Sequence, residues 1–185
     1  MSKLLTGVFM IGLMLLCQVS VSHALNIQIF MLLPGIQGEV TEPNHIGWIN
    51  VESVTWGHGE APPGSPNKIQ FRGVNFIKFN DSTSASLALL GATGQPIKDV
   101  KLEITTPAGG SVLGVLSRMK LTNVRVASYV AGAHEGAGHP TDNITFSFDT
   151  VTWINFRQNP QTGQMTPGSS ACWDVVNNKV CVPQF

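Results

Sequence analysis

The residues of this 185-residue chain that could bind a metal ion or act in catalysis are histidines, glutamates, serines and cysteines. Residues 134–139 read HEGAGH, so His134, Glu135 and His139 could offer metal ligands. This segment is predicted to be a glycine-rich loop, whereas paired metal-binding histidines on a helix lie four residues apart. The spacing therefore argues against a metal site.

The other candidate catalytic groups have no partner that the sequence identifies. We interpret His45 and His58, which flank a tryptophan-bearing strand pattern, as surface or interface residues. Ser111 lies in GSVLG, where it is off-centre relative to the G-x-S-x-G turn that presents a nucleophilic serine. No phosphate-binding loop and no paired carboxylates stand out. We therefore predict that the protein is not an enzyme and binds no cofactor or metal ion.

The charge composition argues against a nucleic-acid surface. Eleven basic residues balance eleven acidic ones, and no basic cluster occurs. A hydrophobic content of 43% with only 12% charged residues indicates one globular domain with a sizeable core. Near-zero net charge also removes the self-repulsion that keeps monomers apart, which favours self-association.

The N-terminus has the three parts of a secretory signal peptide. Lys3 precedes an apolar run over residues 4–19, and Ser22 and Ala24 place small residues three and one positions before the expected cleavage. The apolar run is marginal for a membrane anchor, which is the alternative interpretation. We predict cleavage between Ala24 and Leu25, no membrane insertion after cleavage, and a periplasmic or secreted bacterial protein.

Two cysteines, Cys172 and Cys181, follow the signal peptide, and in an exported chain such a pair forms a disulfide more often than a metal site. A four-residue loop at residues 175–178 would place Cys172 opposite Cys181 in a hairpin. A two-residue turn at residues 177–178 would place Cys172 opposite Pro183 instead. We predict the Cys172–Cys181 disulfide, in a tail after Gln158 that is otherwise loosely ordered.

Strand patterns dominate the rest of the chain. Residues 46–56 are apolar on both faces of the expected strand, with Ile46, Trp48 and Trp56 on one of them. Residues 81–90 give the one helical signal, and a change of apolar parity at residues 122–123 predicts a bend. The run after Trp56 predicts a long projecting loop that contains Gly57, His58, Gly59, Glu60, Pro62 and Pro63.

Four segments of the chain resemble sequences of the haemolysin-coregulated protein (Hcp) family, the tube proteins of bacterial type VI secretion. The first is GWINVESVTWG at residues 47–57, and the second is GATGQPI at residues 91–97, which follows the predicted helix. The third is MKLTNVRVASY at residues 119–129, and the fourth is TFSFD at residues 145–149. With the strands around them, these segments extend the resemblance over roughly residues 27–157, most of the chain that follows the predicted signal peptide.

The resemblance implies a mainly β fold, a compact antiparallel two-sheet β-barrel with one short flanking α-helix, over residues 25–158. Residues 1–24 would be the signal peptide, and residues 159–185 a C-terminal extension with the disulfide hairpin. The resemblance further implies a homo-hexameric ring, ring stacking through the loop at residues 57–63, and binding of other secretion-system or effector proteins. The alternative is a stand-alone secreted effector or surface-binding module that keeps the barrel without the tube.

The signal-peptide assignment predicts the N-terminus of the mature protein. Expression of the full chain in a bacterium should yield a periplasmic or extracellular species that begins at Leu25, because the small residue at Ala24 directs cleavage there. Intact-mass analysis of the exported fraction measures this directly. A soluble cytoplasmic species that still begins at Met1 would contradict the assignment.

Overall fold

The protein is described from a computed structural model, which covers residues 26–65, 69–107, 113–133, 135–136, 138–159 and 161–185. The predicted signal peptide with its expected Ala24–Leu25 cleavage site, Ser111 and His134 lie outside these ranges. In chain order the elements are β1 (Gln28–Leu32), β2 (Ile49–Val51), β3 (Ser53–Glu60), β4 (Ile69–Phe79), α1 (Ser84–Thr93), β5 (Ile97–Pro107), β6 (Leu113–Gly132), β7 (Thr141–Ser147), β8 (Thr150–Gln158), β9 (Met165–Asp174) and β10 (Lys179–Val180).

The strands form two antiparallel sheets that share β6. One sheet has the order β10-β9-β8-β6-β5-β1-β2, and the other has the order β3-β4-β7-β6. The mainly β, antiparallel class with one short helix is therefore confirmed. No helix in the described ranges is long and apolar enough to cross a membrane.

The 20-residue strand β6 reaches both sheets because it bends in the middle. Its first half pairs with β5 and β8, and its second half pairs with β7 from Arg125 onward. At the junction Asn123 has a φ of 50°, a left-handed conformation that asparagine tolerates better than most residues. The Asn123 amide donates a hydrogen bond to the carboxylate of Asp149. The bend predicted at residues 122–123 is thus confirmed.

The chain also passes from one sheet to the other at Glu52. Strand β2 pairs with β1 in the first sheet, and β3, which starts one residue later, pairs with β4 in the second. The Glu52 N–H donates to the carbonyl of Ile77 in β4 at 2.8 Å. The strand predicted from residue 46 starts only at Ile49, because residues 43–47 form turns. Ile46 is therefore 71% exposed.

The core lies between the two sheets and under the helix. Leu87 of α1 is fully buried, and Gly91 allows the helix to approach Val126 of β6 closely. Gly94 ends the helix in a left-handed conformation and donates its N–H to the Leu90 carbonyl. The largest fully buried apolar side chains come from both sheets and from the helix: Phe76, Phe146, Met31, Leu33, Ile49, Leu87, Leu121 and Ile144.

A charged network lies inside this apolar body, where the strand ends of β4 and β7 meet the start of α1. Lys78 and Asp142 have no exposed surface, and the Lys78 Nζ lies 3.0 Å from an Asp142 carboxylate oxygen and 2.8 Å from one of Asp81. Lys78 also donates to the Ser84 hydroxyl at 3.0 Å. Tyr129 donates its hydroxyl to Asp142 at 3.0 Å. The network therefore ties the helix start to both strands.

The network shifts two pKa values in opposite directions. Burial acts to raise the pKa of Asp142, but hydrogen bonds from Ser84, Lys78 and Asn80 outweigh it, so the pKa is lowered. Burial raises the pKa of Tyr129, and its hydrogen bond to the Asp142 carboxylate adds to that effect. Asp142 is thus held as the anion that the buried lysine requires.

Replacing Asp142 by asparagine should destabilise the fold strongly. The substitution leaves the buried Lys78 charge with Asp81 as its remaining carboxylate partner, so the free energy of unfolding should fall by about 3 kcal/mol, the lower end of the cost of breaking a buried pair. Urea unfolding measures the change. Asp99→Asn, which weakens a partly exposed pair with Lys120 at 3.9 Å, is the matched control and should cost under about 1 kcal/mol.

The pH dependence gives this substitution a second readout. Because the folded pKa of Asp142 is lowered, its contribution is present above the carboxyl's unfolded pKa, about 3.9, and is lost as the pH falls through the lowered value. Asp142→Asn should therefore lose less stability than the wild type between neutral and strongly acidic pH. Equal losses, or an unchanged stability at neutral pH, would contradict this account of the network.

Candidate interaction surfaces

The hairpin of β3 and β4 carries most of the residues that were predicted to form a projecting loop. Gly57, His58, Gly59 and Glu60 are not in a loop, because β3 continues through Glu60 and pairs with β4. The cross-strand pairs His58–Phe71 and Glu60–Ile69 supply the backbone hydrogen bonds that the glycine-rich sequence alone does not reveal. The sequence-based loop boundary was therefore wrong by four residues.

A bulge sits opposite the start of this glycine-rich part. The β3–β4 register shifts between Trp56 and His58. Gly73, on the β4 side, has a φ of +83°, and a Cβ there would lie 2.5 Å from the Phe146 carbonyl oxygen. Only glycine fits this close approach, which explains the parity change in the sequence near residue 73.

The exposed tip of the hairpin contains the two prolines. Pro62 and Pro63 are exposed, and the Ser65 N–H donates to the Pro62 carbonyl at 3.0 Å in a turn that includes Gly64 with φ +88°. Each proline has its φ fixed by its ring, so the tip presents a stiff surface. The candidate stacking residues are thus divided between a paired strand end and an exposed turn.

The C-terminal segment forms a second hairpin, from β9 and β10. Strand β9 pairs with β8 from Thr150 to Gln158, so the prediction that the tail is loosely ordered was wrong. The loop at residues 175–178 has four residues, and Lys179 lies opposite Asp174. Asp174 accepts hydrogen bonds from the backbone and side-chain nitrogens of Asn177 at 2.9 and 2.8 Å, which lower its pKa.

A disulfide bond closes this hairpin between Cys172 and Cys181. Their Cα atoms are 5.0 Å apart, and the Cys181 N–H donates to the Cys172 carbonyl at 3.2 Å. Of the two turns that the sequence allowed, the four-residue loop and the two-residue turn, the chain therefore adopts the four-residue loop. Strand β10 itself has only two residues, both exposed, so the disulfide is the main attachment of the chain end.

A cleft of about 430 Å³ separates the two hairpins. The β3–β4 hairpin contributes His58, Ile69 and Phe71, and β8 contributes Trp153. The remaining wall is the disulfide hairpin with its C-terminal continuation, namely Ser170, Ala171, Cys172, Trp173, Val180, Cys181 and Pro183. The Phe71 and Trp153 rings are stacked with centroids 6.3 Å apart. The fold therefore gathers aromatic rings from three strands at one concave surface.

His45 is not a surface residue, contrary to the prediction, because it is only 2% exposed. Its Nε2 lies 3.0 Å from a Glu103 carboxylate oxygen, and its Nδ1 contacts Glu42. Glu103 also accepts a hydrogen bond from Arg118 Nε at 2.6 Å, and Phe30 stacks on the imidazole at 4.3 Å. His45 therefore fixes the turns that precede β2 against β1 and β5.

His58, by contrast, is exposed as predicted.

The metal-binding candidates do not come together in the part of the chain that the structure describes. No group of three or more His, Cys, Asp or Glu side chains there could hold a metal ion. Glu135 is exposed, and the His139 ring lies 5.3 Å from the Phe79 ring. His139 thus contacts an aromatic ring.

The disulfide should contribute measurably to stability. Replacing both Cys172 and Cys181 by alanine removes a constraint on the unfolded chain that is worth roughly 2.5–3 kcal/mol in the chain-entropy model for a loop of this size. Urea unfolding of the oxidised protein with and without a reductant measures the loss. The double-alanine variant is the control, and the reductant should leave it unchanged. Two free thiols in the non-reduced protein would contradict the assignment.

The family model described as "Type VI secretion system effector, Hcp" matches residues 30–154. No curated protein matches the sequence.

Three solved structures are similar to this fold. A type six secretion system protein is 27% identical, with a TM-score of 0.73, and the match covers 84% of this chain and 99% of that one. Hcp1 from Salmonella typhimurium is 24% identical over 84% and 99% of the two chains, with a TM-score of 0.69. A type VI secretion system effector from Yersinia pestis is 23% identical over 80% and 99%, with a TM-score of 0.63. This chain belongs to the Hcp family of type VI secretion system proteins.

Proposed function

We propose that the protein is an exported structural component of the Hcp type, which forms a homo-hexameric ring as a tube building block and binds partner or effector proteins. In this proposal the signal peptide of residues 1–24 directs the chain across the inner membrane. The mature protein then acts in the periplasm or outside the cell. The hairpin tip with Pro62 and Pro63 is the element that contacts a neighbouring ring.

The completeness of the fold match is the observation that carries the proposal. The match with a type six secretion system protein covers 99% of that protein's chain, so this chain keeps a counterpart for nearly all of the relative's fold. A protein that had kept the core for an unrelated purpose would be free to lose surface strands and hairpins. Retention of the whole fold supports retention of the family's assembly role.

Exposed apolar side chains support self-association. Ile46 is 71% exposed, Leu89 on the helix is 64% exposed, and Val130 near the end of β6 is 60% exposed. Trp56 on β3 is 42% exposed. These side chains lie on different elements, so a single subunit offers more than one apolar contact surface. A head-to-tail ring needs two different surfaces on each subunit, which this distribution provides.

The ring proposal predicts the mass of the mature protein in solution. Residues 25–185 at micromolar concentration should scatter light as a species of six times the monomer mass, because each ring contact should bury on the order of 1,000 Å² or more. Ile46→Asp should shift the population toward monomer by placing a charge in an apolar contact. Val176→Asp, at a similarly exposed valine on the C-terminal hairpin, is the matched control.

A strictly monomeric mass at all concentrations would overturn the ring proposal. It would favour the alternative function, a stand-alone secreted effector or surface-binding module with the same fold. If Ile46→Asp and Val176→Asp both leave a hexamer intact, the ring stands but its contacts lie elsewhere than at the turns before β2.

A further inference from the structure

The cleft between the two hairpins has the size and lining of a binding site rather than of a packing defect. Its volume of about 430 Å³ lies within the range of roughly 300–1,000 Å³ that is common for ligand sites. The side chains that line it include Phe71, Trp153 and Trp173, and none of the lining residues is an aspartate, glutamate, lysine or arginine. The cleft therefore favours an uncharged, apolar group.

Apolar surface continues from the cleft onto the end of the chain. Val180, which lines the cleft, is 75% exposed, and Val182 beside it is 77% exposed. Phe185 is 41% exposed. A small molecule would occupy the cleft and leave this neighbouring surface in water. An extended polypeptide could cover both, since contiguous exposed apolar surface is typical of protein contacts.

The edge of β9 next to the cleft offers backbone hydrogen bonds. The Cys172 carbonyl accepts from Cys181 on the side of β10. In an antiparallel ladder alternate residues direct their N–H and C=O groups to the same side, so Ser170 directs its groups to that edge as well. No described strand pairs with this edge between Met165 and Ala171. Pro167 prevents pairing at one position, which limits an added strand to the part beside the cleft.

The disulfide bond is itself part of the cleft wall. Both Cys172 and Cys181 line it, and β10 adds only two pairs to β9. Reduction of the bond by a dithiol converts the two sulfurs to thiols and oxidises the dithiol to a disulfide. Without the bond, the wall that contains Val180 and Pro183 keeps few attachments. The cleft therefore depends on the oxidised state of the protein.

From these observations we propose that the cleft is a partner-binding site that accepts an apolar side chain of an extended polypeptide segment. The segment adds to the free edge of β9 at Ser170, and the site exists only in the disulfide-bonded protein. Edge pairing supplies affinity, and the apolar cleft selects the side chain. This inference rests on the proposed function in one respect, that the protein binds partner proteins, but it does not require the ring.

The probe is a capped, uncharged eight-residue peptide with one central leucine among serines and threonines. Binding to the mature oxidised protein is followed by titration calorimetry and by the fluorescence of Trp153 and Trp173. We expect saturable binding, and at least a tenfold loss when the leucine is replaced by aspartate. Val180→Asp should also weaken binding at least tenfold, because it places a charge at the cleft. Val176→Asp, on the same hairpin but outside the cleft, should not.

Two further variants test the edge and the disulfide. Ser170→Pro removes the N–H donor at the free edge and should weaken binding, whereas Ser170→Ala should retain it. The double Cys→Ala variant and the reduced wild type should lose binding. Circular dichroism of each variant verifies that the β fold is kept, and Val180→Asp keeps the test valid if the cysteine variant unfolds.

Several outcomes would overturn the proposal. Equal affinity for the leucine and aspartate peptides, equal losses in Val180→Asp and Val176→Asp, or full binding by the reduced protein would each do so. Binding of the neutral fluorophore N-phenyl-1-naphthylamine without binding of the peptide would make this a small-molecule site instead. Light scattering on the same samples separates the two proposals. If the protein is a hexamer and does not bind the peptide, only the cleft proposal is refuted. If it is a monomer and binds the peptide, only the ring proposal is refuted.

Discussion

The sharing of one long strand between two sheets is the constraint on which the rest of the fold depends. Strand β6 can pair with β5 and β8 along one half and with β7 along the other only if its backbone turns at one point. Asn123 supplies that turn, and the hydrogen bond of its amide to Asp149 fixes the neighbouring break between β7 and β8. The Asp149 carbonyl in turn accepts a hydrogen bond from the Val175 N–H. The same junction therefore positions the start of the C-terminal hairpin loop.

The apolar skeleton of this fold was predictable from the sequence, because period-two alternation depends only on which face is buried. The parity change at residues 122–123 was correctly interpreted as a bend, and it coincides with the positive φ of Asn123 in the structure. The buried polar groups were not predictable. Lys78 occupies a position in β4 whose alternation marks it as inward-facing. Besides the nearby Asp81, the burial of this lysine depends on a pair with Asp142, which lies 64 residues later in the chain. No local pattern contains that pairing.

The two hairpins that form the candidate interaction surface were predicted less well, for a common physical reason. Residues 57–60 and 165–171 are rich in glycine, serine, proline or polar residues, so they carry no apolar pattern. A β-ladder is held by backbone hydrogen bonds, which every residue except proline can both donate and accept. Glycine-rich strands can therefore pair wherever a neighbouring strand is already in place. Here β4 and β8 provide the template, and each is itself anchored in the core by Phe76 or Val151.

The position of β9 also bears on how the C-terminal segment relates to the family fold. The match with a type six secretion system protein covers 84% of this chain, which is more than residues 26–158 alone supply. Because β9 continues the sheet beyond β8, this part of the C-terminal segment belongs to the folded sheet and is not a separate tail. Its outer part has little of that support, since β10 has two exposed residues and the chain beyond it is assigned to no strand, with Cys181 bonded to the Cys172 carbonyl of β9. A covalent bond between Cys172 and Cys181 holds this end where apolar burial is too small to do so, and in doing so it creates the concave aromatic surface beside β3 and β4.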